Sequence, residues 1–444
     1  VEQHRYEIPT KAFLSELEWC ARFIEKKSTI PVLSNVLFQK RGDFLNITAT
    51  DLEIGGVTSL EIGAGPDFEI AAPAGLLIKY LKKVDESTVF LVPEIIMTAP
   101  FYGPHPETCG ETCDCNLKPQ TLSVTLRLEH GADGAMNVPG MEAFQYPTLP
   151  STPPTLLQLG GLKTAIPRAV IAISDEVSRF TLNGALLRVQ GNQAHLIATD
   201  GHRLSMVELI AYDSADVKAL IPRKALTELV RLSDGAFFSQ DDKHAFFAVG
   251  ARTIVSRKLT GNFPDYERVM PKDLAYATDV SVAPLRKVLD RVALFADERS
   301  HAVLFSVNGS MAVSADSCGR GAASGKVPID CIRRLDSENG YDVLTSGLAY
   351  PYGAGFNAEY VAEFLKSADV PDVRFHFNKC AHAAEWTAPG WRYVLMPMRM
   401  DGGSDPCATG EHEKLQWAKD ADERIARMPP TVEDRVMAWT RYVA

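Results

Sequence analysis

The sequence lacks most of what marks an enzyme, a membrane protein or a disulfide scaffold. Eight cysteines in 444 residues are too few for a cross-linked secreted fold. Cys20, Cys318, Cys331, Cys380 and Cys407 are scattered and read as small buried hydrophobes. No apolar run reaches the length of a membrane span. The opening VEQHRYEIPT has no apolar core of the kind a signal peptide needs, so a cytoplasmic protein is expected. There is no phosphate loop and no dinucleotide fingerprint. Asp200, His202 and Ser205 lie close together, but at one strand end and without a nucleophile elbow or oxyanion-type glycine loop. Independent catalysis is therefore not expected. Positive charge is short as well. A net charge of −10 argues against a surface that coats nucleic acid everywhere, yet it permits a basic lining on an acidic body.

What is present is a repeat. PVLSNVLFQKRGDFLNITATD ends at Asp51, FTLNGALLRVQGNQAHLIATD at Asp200 and AVLFSVNGSMAVSAD at Asp316. Each reads as a strand, a glycine-containing turn and a second strand that closes on a small residue and aspartate. An amphipathic helix precedes each hairpin. The first runs from Thr10, a plausible N-cap, with Leu14, Leu17, Ala21 and Ile24 on one face. The second includes Ala165, Ala169 and Val170, with Pro167 tolerable only near the first turn. In the third, Leu285, Val288, Leu289 and Val292 follow Pro284 at helical spacing. A second helix follows each hairpin: PAGLLIKYLKKV, PRKALTELVRL and FNAEYVAEFLKSAD. The first two open on proline, which suits a first helical turn. Strand-like sequence comes next in each copy, as in STVFLV, HAFFAV and VRFHF. The expected fold is α+β, with domains at 1–150, 151–273 and 274–400 and an extension at 401–444. The wider spacing of the first two aspartates places an insertion in the first copy.

Each helix pairs an apolar face with a polar one, and several polar faces are basic. The candidates for phosphate contact are Arg22, Lys26, Lys27, Lys79, Lys82 and Lys83 in the first copy. In the second they are Arg168, Arg179, Arg223, Lys224 and Arg231, and in the third Arg286, Lys287 and Arg291. Any one such face reads as a solvated helix surface. Its recurrence in an acidic chain suggests a concave surface that attracts phosphates without reading bases. The second helix of the third copy departs from this, with Glu359 and Glu363 beside Lys366.

Several strings carry a family resemblance. ATDGHRL at 198–204, IPRKALTEL at 221–229, GNFPDYERVMP at 261–271, GFNAEYV at 355–361 and YVLMPMRM at 393–400 resemble the bacterial DNA sliding clamp, the beta subunit of DNA polymerase III. STIPVLSNVL and TATDLEI near the front match the same family. The resemblance implies three clamp domains with helices on an inner face and antiparallel sheets outside. It also implies a homodimeric ring around duplex DNA that serves as a replicative processivity factor. Polymerase and clamp loader would dock through short linear peptides, in a pocket of Leu182, Thr199, Gly201, His202, Arg203, Leu204, Pro264, Arg268, Val269, Asn357, Tyr360, Val394, Met396, Pro397, Met398 and Arg399. Taken singly, the methionines read equally as core and the arginines as ion-pair partners. A clamp-like relative that binds peptides without encircling DNA is the alternative; it would stay monomeric and leave circular DNA.

Three stretches depart from the family pattern. GKVPIDCIRRLDSENGYDVLTSGLAYPYGAG, in the third copy, reads as a longer connection with a few strand or turn residues. The tail at 401–444 holds a linker-like DGGSDPCATG, then two helix-like segments bearing Trp417, Met437 and Trp439 that could reach the peptide pocket or pack elsewhere. FYGPHPETCGETCDCNLKPQ at 101–120 places His105, Cys109, Cys113 and Cys115 on a Gly/Pro-rich loop. Four such ligands could hold a structural zinc, although the spacing is not that of a standard zinc knuckle and free thiols in a flexible loop are the alternative. The zinc reading predicts about one zinc per chain, released by a thiol-blocking reagent; purified protein that releases none removes the idea.

Overall fold

The computed structural model describes residues 4–25, 30–97, 121–132, 134–154, 157–176, 178–272, 274–317, 321–336, 340–343, 348, 352–378 and 382–398. The chain forms two compact units, Val1–Gln158 with Gly235–Lys258, and Leu159–Asp234 with Leu259–Ala444. Among the described residues no helix is long and apolar enough to cross a membrane.

The three hairpins recur as antiparallel ladders. Val36–Arg41 lies between Phe44–Thr50 and Phe68–Ala72. Gly184–Thr199 pairs along Arg203–Pro222, with an irregularity at Gly191. Ala302–Val307 lies between Ser310–Ser317 and Tyr352–Asn357. The sequence expected a loose connection after Asp316. The chain instead forms a strand, Gly321–Asp336, that pairs with Ser310–Ser317 and then with Tyr276–Ser281. Backbone pairing along a ready-made edge outweighs the glycines and the proline within it.

Seven helices are described: α1 (Thr10–Cys20), α2 (Ala74–Leu81), α3 (Leu162–Val170), α4 (Arg223–Leu229), the single turn α5 (Tyr266–Val269), α6 (Val282–Val292) and α7 (Ala358–Ser367). Six of them pack in pairs, α1 with α2, α3 with α4 and α6 with α7. Helix α6 buries Val282, Leu285, Val288, Leu289 and Val292. Each such burial stabilises by about 1.5–3 kcal/mol, far more than an exposed helix ion pair at about 0.3 kcal/mol. Packing therefore decides the helix.

Three helix expectations change. The core face of α1 is Phe13, Leu17 and Cys20, and Leu14 is only half-buried. Thr10 does not cap α1; Pro9 holds that position, and the Thr10 hydroxyl donates to the Glu86 carbonyl at 2.7 Å. Pro167 lies inside α3 rather than in its first turn; it sits on the exposed side of a helix only nine residues long.

Two junctions join successive copies, in one register. Arg252–Arg257, from the second copy, pairs with the first copy's Ile54–Glu61, Ser256 opposite Ile54. Trp391–Leu395, from the third, pairs with the start of Arg203–Pro222, Leu395 opposite Arg203. Ile54 and Arg203 each stand three residues past the marker aspartate. An arginine and a tryptophan clasp both junctions. Arg252 lies over the Trp19 ring at 5.3 Å and chelates Glu16 at 2.8 and 2.9 Å. Arg168 lies over the Trp391 ring at 5.1 Å. Burial pushes the Glu16 carboxyl up, but hydrogen bonds from Arg252 and Thr58 outweigh it and leave the pKa lowered.

The marker aspartates build one turn twice. Asp51 Oδ1 accepts from the amides of Glu53 and Ile54, and Asp200 Oδ1 from those of His202 and Arg203. The threonine before each aspartate closes the turn with its hydroxyl. The residue after each is left-handed: Leu52 at φ 76° and Gly201 at φ 93°. A side chain in that region costs about 1–2 kcal/mol. Gly201→Ala is therefore expected to destabilise by about 1 kcal/mol or more, since a Cβ there would also meet Arg179 Nη1 at 3.3 Å. Leu52→Gly should be neutral or slightly stabilising, because relief of the turn offsets glycine's extra chain entropy of about 0.5–1 kcal/mol. Urea unfolding of both variants checks the pair.

Candidate functional site

All the described residues of the expected peptide pocket fall in the second unit. The 3-10 turn Phe180–Leu182 presents Phe180 at 65% exposure. Leu182 is 8% exposed. Ser178–Leu182, Thr260 and Pro264 line a hollow of about 380 Å³. The turn from Thr199 exposes Gly201 and His202. The last described strand and its continuation run beside the turn that holds His202. The Met396 amide donates to the His202 carbonyl at 3.0 Å, and the Met398 amide to the Gly355 carbonyl at 2.8 Å. Met396, Pro397 and Met398 are half-buried there. Arg399 lies outside the described residues.

Arg203 ties these parts together. Its side chain is 9% exposed. Nε donates to Asp200 Oδ2 at 2.9 Å, Nη1 to Glu363 on α7 and to the Tyr393 hydroxyl at 3.3 Å. The guanidinium stacks 4.0 Å from the Tyr360 ring centre. Burial works against its charge, but Tyr393 and Glu363 outweigh that and raise its pKa. The Tyr393 hydroxyl is pushed up, chiefly by burial, and donates to the Tyr360 carbonyl. Asn357 caps α7, its Oδ1 accepting from the Glu359 and Tyr360 amides. Asn357 and Arg203 are thus engaged within the protein and hold the groove's shape. Leu204 and Val394 are 1% and 0% exposed and belong to the core cluster with Leu186, Ile197, Leu220, Phe263 and Met270. Val269 packs against that cluster. Leu204 and Val394 thus lie beneath the surface, and Val269 is half-buried over them. Arg268 is 85% exposed at the rim and pairs with Asp265 at 2.7 Å. The resemblance carried over neither Asp200, Glu363 nor Tyr393. Asp200 stood inside ATDGHRL and Tyr393 opened YVLMPMRM, but neither string gave them a role; Glu363 stood out only as an acid on an otherwise basic set of helices.

The cations divide into groups. Arg22, Lys79, Lys82 and Lys83 are exposed at or just past α1 and α2, with Lys82 held by Glu18 at 2.7 Å. Lys224 on α4 and Arg286, Lys287 and Arg291 on α6 are exposed too. Arg179, Arg223 and Arg231 are paired with Glu176, Asp175 and Glu228. Arg168 is a correction: it is 7% exposed, donates to the Pro389 carbonyl at 3.0 Å and stacks on Trp391, so its charge is not offered to phosphate. Lys26 and Lys27 lie outside the described residues, as do His105, Cys109, Cys113 and Cys115. Among the described residues no cluster of three His, Cys, Asp or Glu could hold a metal.

Arg203→Ala should strand the half-buried Asp200 and cost about 3 kcal/mol. Glu363→Gln, at the exposed end of the network, should cost under about 1 kcal/mol. Denaturant midpoints that shift equally for both would count against Arg203 as the hub.

The fold has counterparts among known proteins. A family model described as DNA polymerase III beta subunit, N-terminal domain, matches residues 5–94. One described as DNA polymerase III beta subunit, central domain, matches residues 157–265. The chain is 28% identical over 414 residues to the beta sliding clamp of Caulobacter vibrioides, covering 88% of this chain and 99% of that protein. It is 28% identical over 410 residues to that of Pseudomonas aeruginosa, covering 89% and 100%. The crystal structure of the DNA polymerase III subunit beta from Pseudomonas aeruginosa superposes with a TM-score of 0.73 at 26% identity, covering 89% of this chain and all of that one. A Caulobacter crescentus beta sliding clamp gives 0.72 at 26% identity, covering 89% and 99%. With two of its repeats matched by beta-subunit domain models and nearly the full length of its relatives aligned, the chain is similar throughout its three repeats to bacterial beta sliding clamps.

Proposed function

We propose that two copies of this sliding clamp close head to tail into a ring around duplex DNA, and that the groove beside Arg203 takes short linear peptides of the replicative polymerase and the clamp loader. The observation that carries the ring is the junction. Within one chain the last strand of the second copy lies on the first, and that of the third lies on the second, in the same register. Continuing the series puts Gly134–Pro139, the first copy's last strand, on Gly321–Pro328 of a second chain. Their described ladders run to Thr121–His130 and Ser310–Ser317 respectively. Such an interface is heterologous and closes after two chains only if the domains repeat at 1–150, 151–273 and 274–400 with equal turns.

The helices would then line the hole. Exposed Lys79, Lys82, Lys83, Lys224, Arg286, Lys287 and Arg291 supply weak phosphate contacts that hold DNA without reading it, as a clamp that must slide requires. The groove suits a peptide: Phe180, Met396 and Met398 give an adaptable apolar surface, while the polar groups fix orientation. The protein is a non-catalytic processivity factor.

Asn137→Pro, in the edge strand of the first copy, should yield a folded monomer by sedimentation and circular dichroism that slides off a primed circle and no longer supports processive synthesis. A variant that stays dimeric on DNA would sink this closure. His202→Ala with Met396→Ala should weaken a fluorescent peptide from the cognate polymerase about tenfold and leave the dimer intact; unchanged affinity would remove the groove.

A further inference from the structure

We infer that the groove has an occupant within this chain: the tail segment that begins at Glu411, anchored by Leu415 and Trp417. The inference rests on the peptide-groove reading and concerns how that groove is regulated. Its first support is where the described chain stops. Met396 and Met398 are fixed beside His202 and Gly355 by backbone hydrogen bonds. Asp401 follows Met398 by three residues, so the tail starts within about 10 Å of the groove.

The second support is reach. DGGSDPCATG separates that point from Glu411. Ten residues of such composition have a root-mean-square span of about 16–19 Å, enough to fold back over a site the chain has only just left. A tether of this length gives a local concentration in the millimolar range.

The third support is chemistry. The tail reads EHEKLQW at residues 411–417, two acids ahead of a leucine and a tryptophan. The groove offers Phe180 and the paired methionines for the apolar residues. Nearby Arg179 and Arg268 are 44% and 85% exposed and already pair with Glu176 and Asp265; in the docked state they would exchange those carboxylates for Glu411 and Glu413. The relatives aligned over 99–100% of their own length leave about a tenth of this chain without a counterpart. Self-occupancy would thus be a property added to the clamp rather than inherited by all of them. A tethered segment of about 100 µM intrinsic affinity would compete with an incoming peptide roughly tenfold. A tight partner still displaces it, while weak ones are screened out.

The test measures the affinity of a fluorescent peptide from the cognate polymerase for three proteins: the full chain, the full chain carrying Leu415→Ala and Trp417→Ala, and a version ending at Met400. Both altered proteins should bind about tenfold tighter than the parent. A synthetic 405–444 peptide added to the shortened protein should reverse the gain competitively. Equal affinities across all three overturn the inference while leaving the groove in place. Tightening by truncation alone, without the double substitution, overturns these anchors. A probe that binds none of the three, with the double His202→Ala and Met396→Ala protein no different, shows that the groove reading itself has failed.

Discussion

Pairing of one copy's last strand onto an edge strand of the copy before it is the interaction on which the rest of the structure depends. An uncovered edge is a liability, because its amides and carbonyls invite another chain. Here the edge of Ile54–Glu61 is covered by Arg252–Arg257, and that of Arg203–Pro222 by Trp391–Leu395. The ladder is made by backbone groups, so it tolerates different side chains along it. The clasp beside it shows that tolerance. At one junction the arginine comes from the later copy and the tryptophan from the earlier; at the other the roles reverse. Each hydrogen bond adds only about 1 kcal/mol net, so a buried aromatic and a stacked guanidinium supply much of each junction's strength. This sharing also explains why Gly235–Lys258, in the second copy's sequence, belongs to the first unit.

The same sharing explains a charge that sequence could not place. Arg168 sits among Leu162, Ala165, Ile166 and Ala169 on the buried side of α3. Its neighbours in sequence give it no reason to point outward or inward. Only Trp391 and the Pro389 carbonyl, more than two hundred residues away, decide the matter. Ser205 completes the arrangement: its hydroxyl donates to the Arg168 carbonyl at 2.7 Å and accepts from the Trp391 indole at 2.8 Å. A serine that looked like a stray nucleophile beside Asp200 and His202 is a fully buried joint.

The hairpins were legible because a period of two and a glycine turn are local signals; Gly42 and Gly309 take the left-handed turn positions the pattern requires. The helices were legible in place but not in facing. Phe13 and Leu14 are both apolar, and only the sheet beneath α1 selects Phe13. The strand Gly321–Asp336 was illegible because GAASGKVPIDCIRRLD carries breakers, and its stability comes from two partners distant in sequence. The groove residues were named by resemblance alone. What holds them was not visible, since Glu363 and Tyr393 reach Arg203 across 160 and 190 residues.

The two copies of the aspartate turn separate what duplication gives from what a site needs. Thr50–Asp51 and Thr199–Asp200 make the same backbone hydrogen bonds, so the turn is a property of the repeat. At the next three positions the first copy has Leu52, Glu53 and Ile54, where the second has Gly201, His202 and Arg203. Ile54 is 1% exposed and serves only the ladder. Arg203 serves the ladder and also binds Asp200, Glu363, Tyr393 and Tyr360. An aliphatic side chain there can seal a junction but cannot lock helix, turn and last strand into one groove wall. Glycine before it removes the strain that Leu52 bears and clears the surface in front of His202. The groove beside Arg203 thus follows from three side-chain differences imposed on a turn that the backbone builds in both copies.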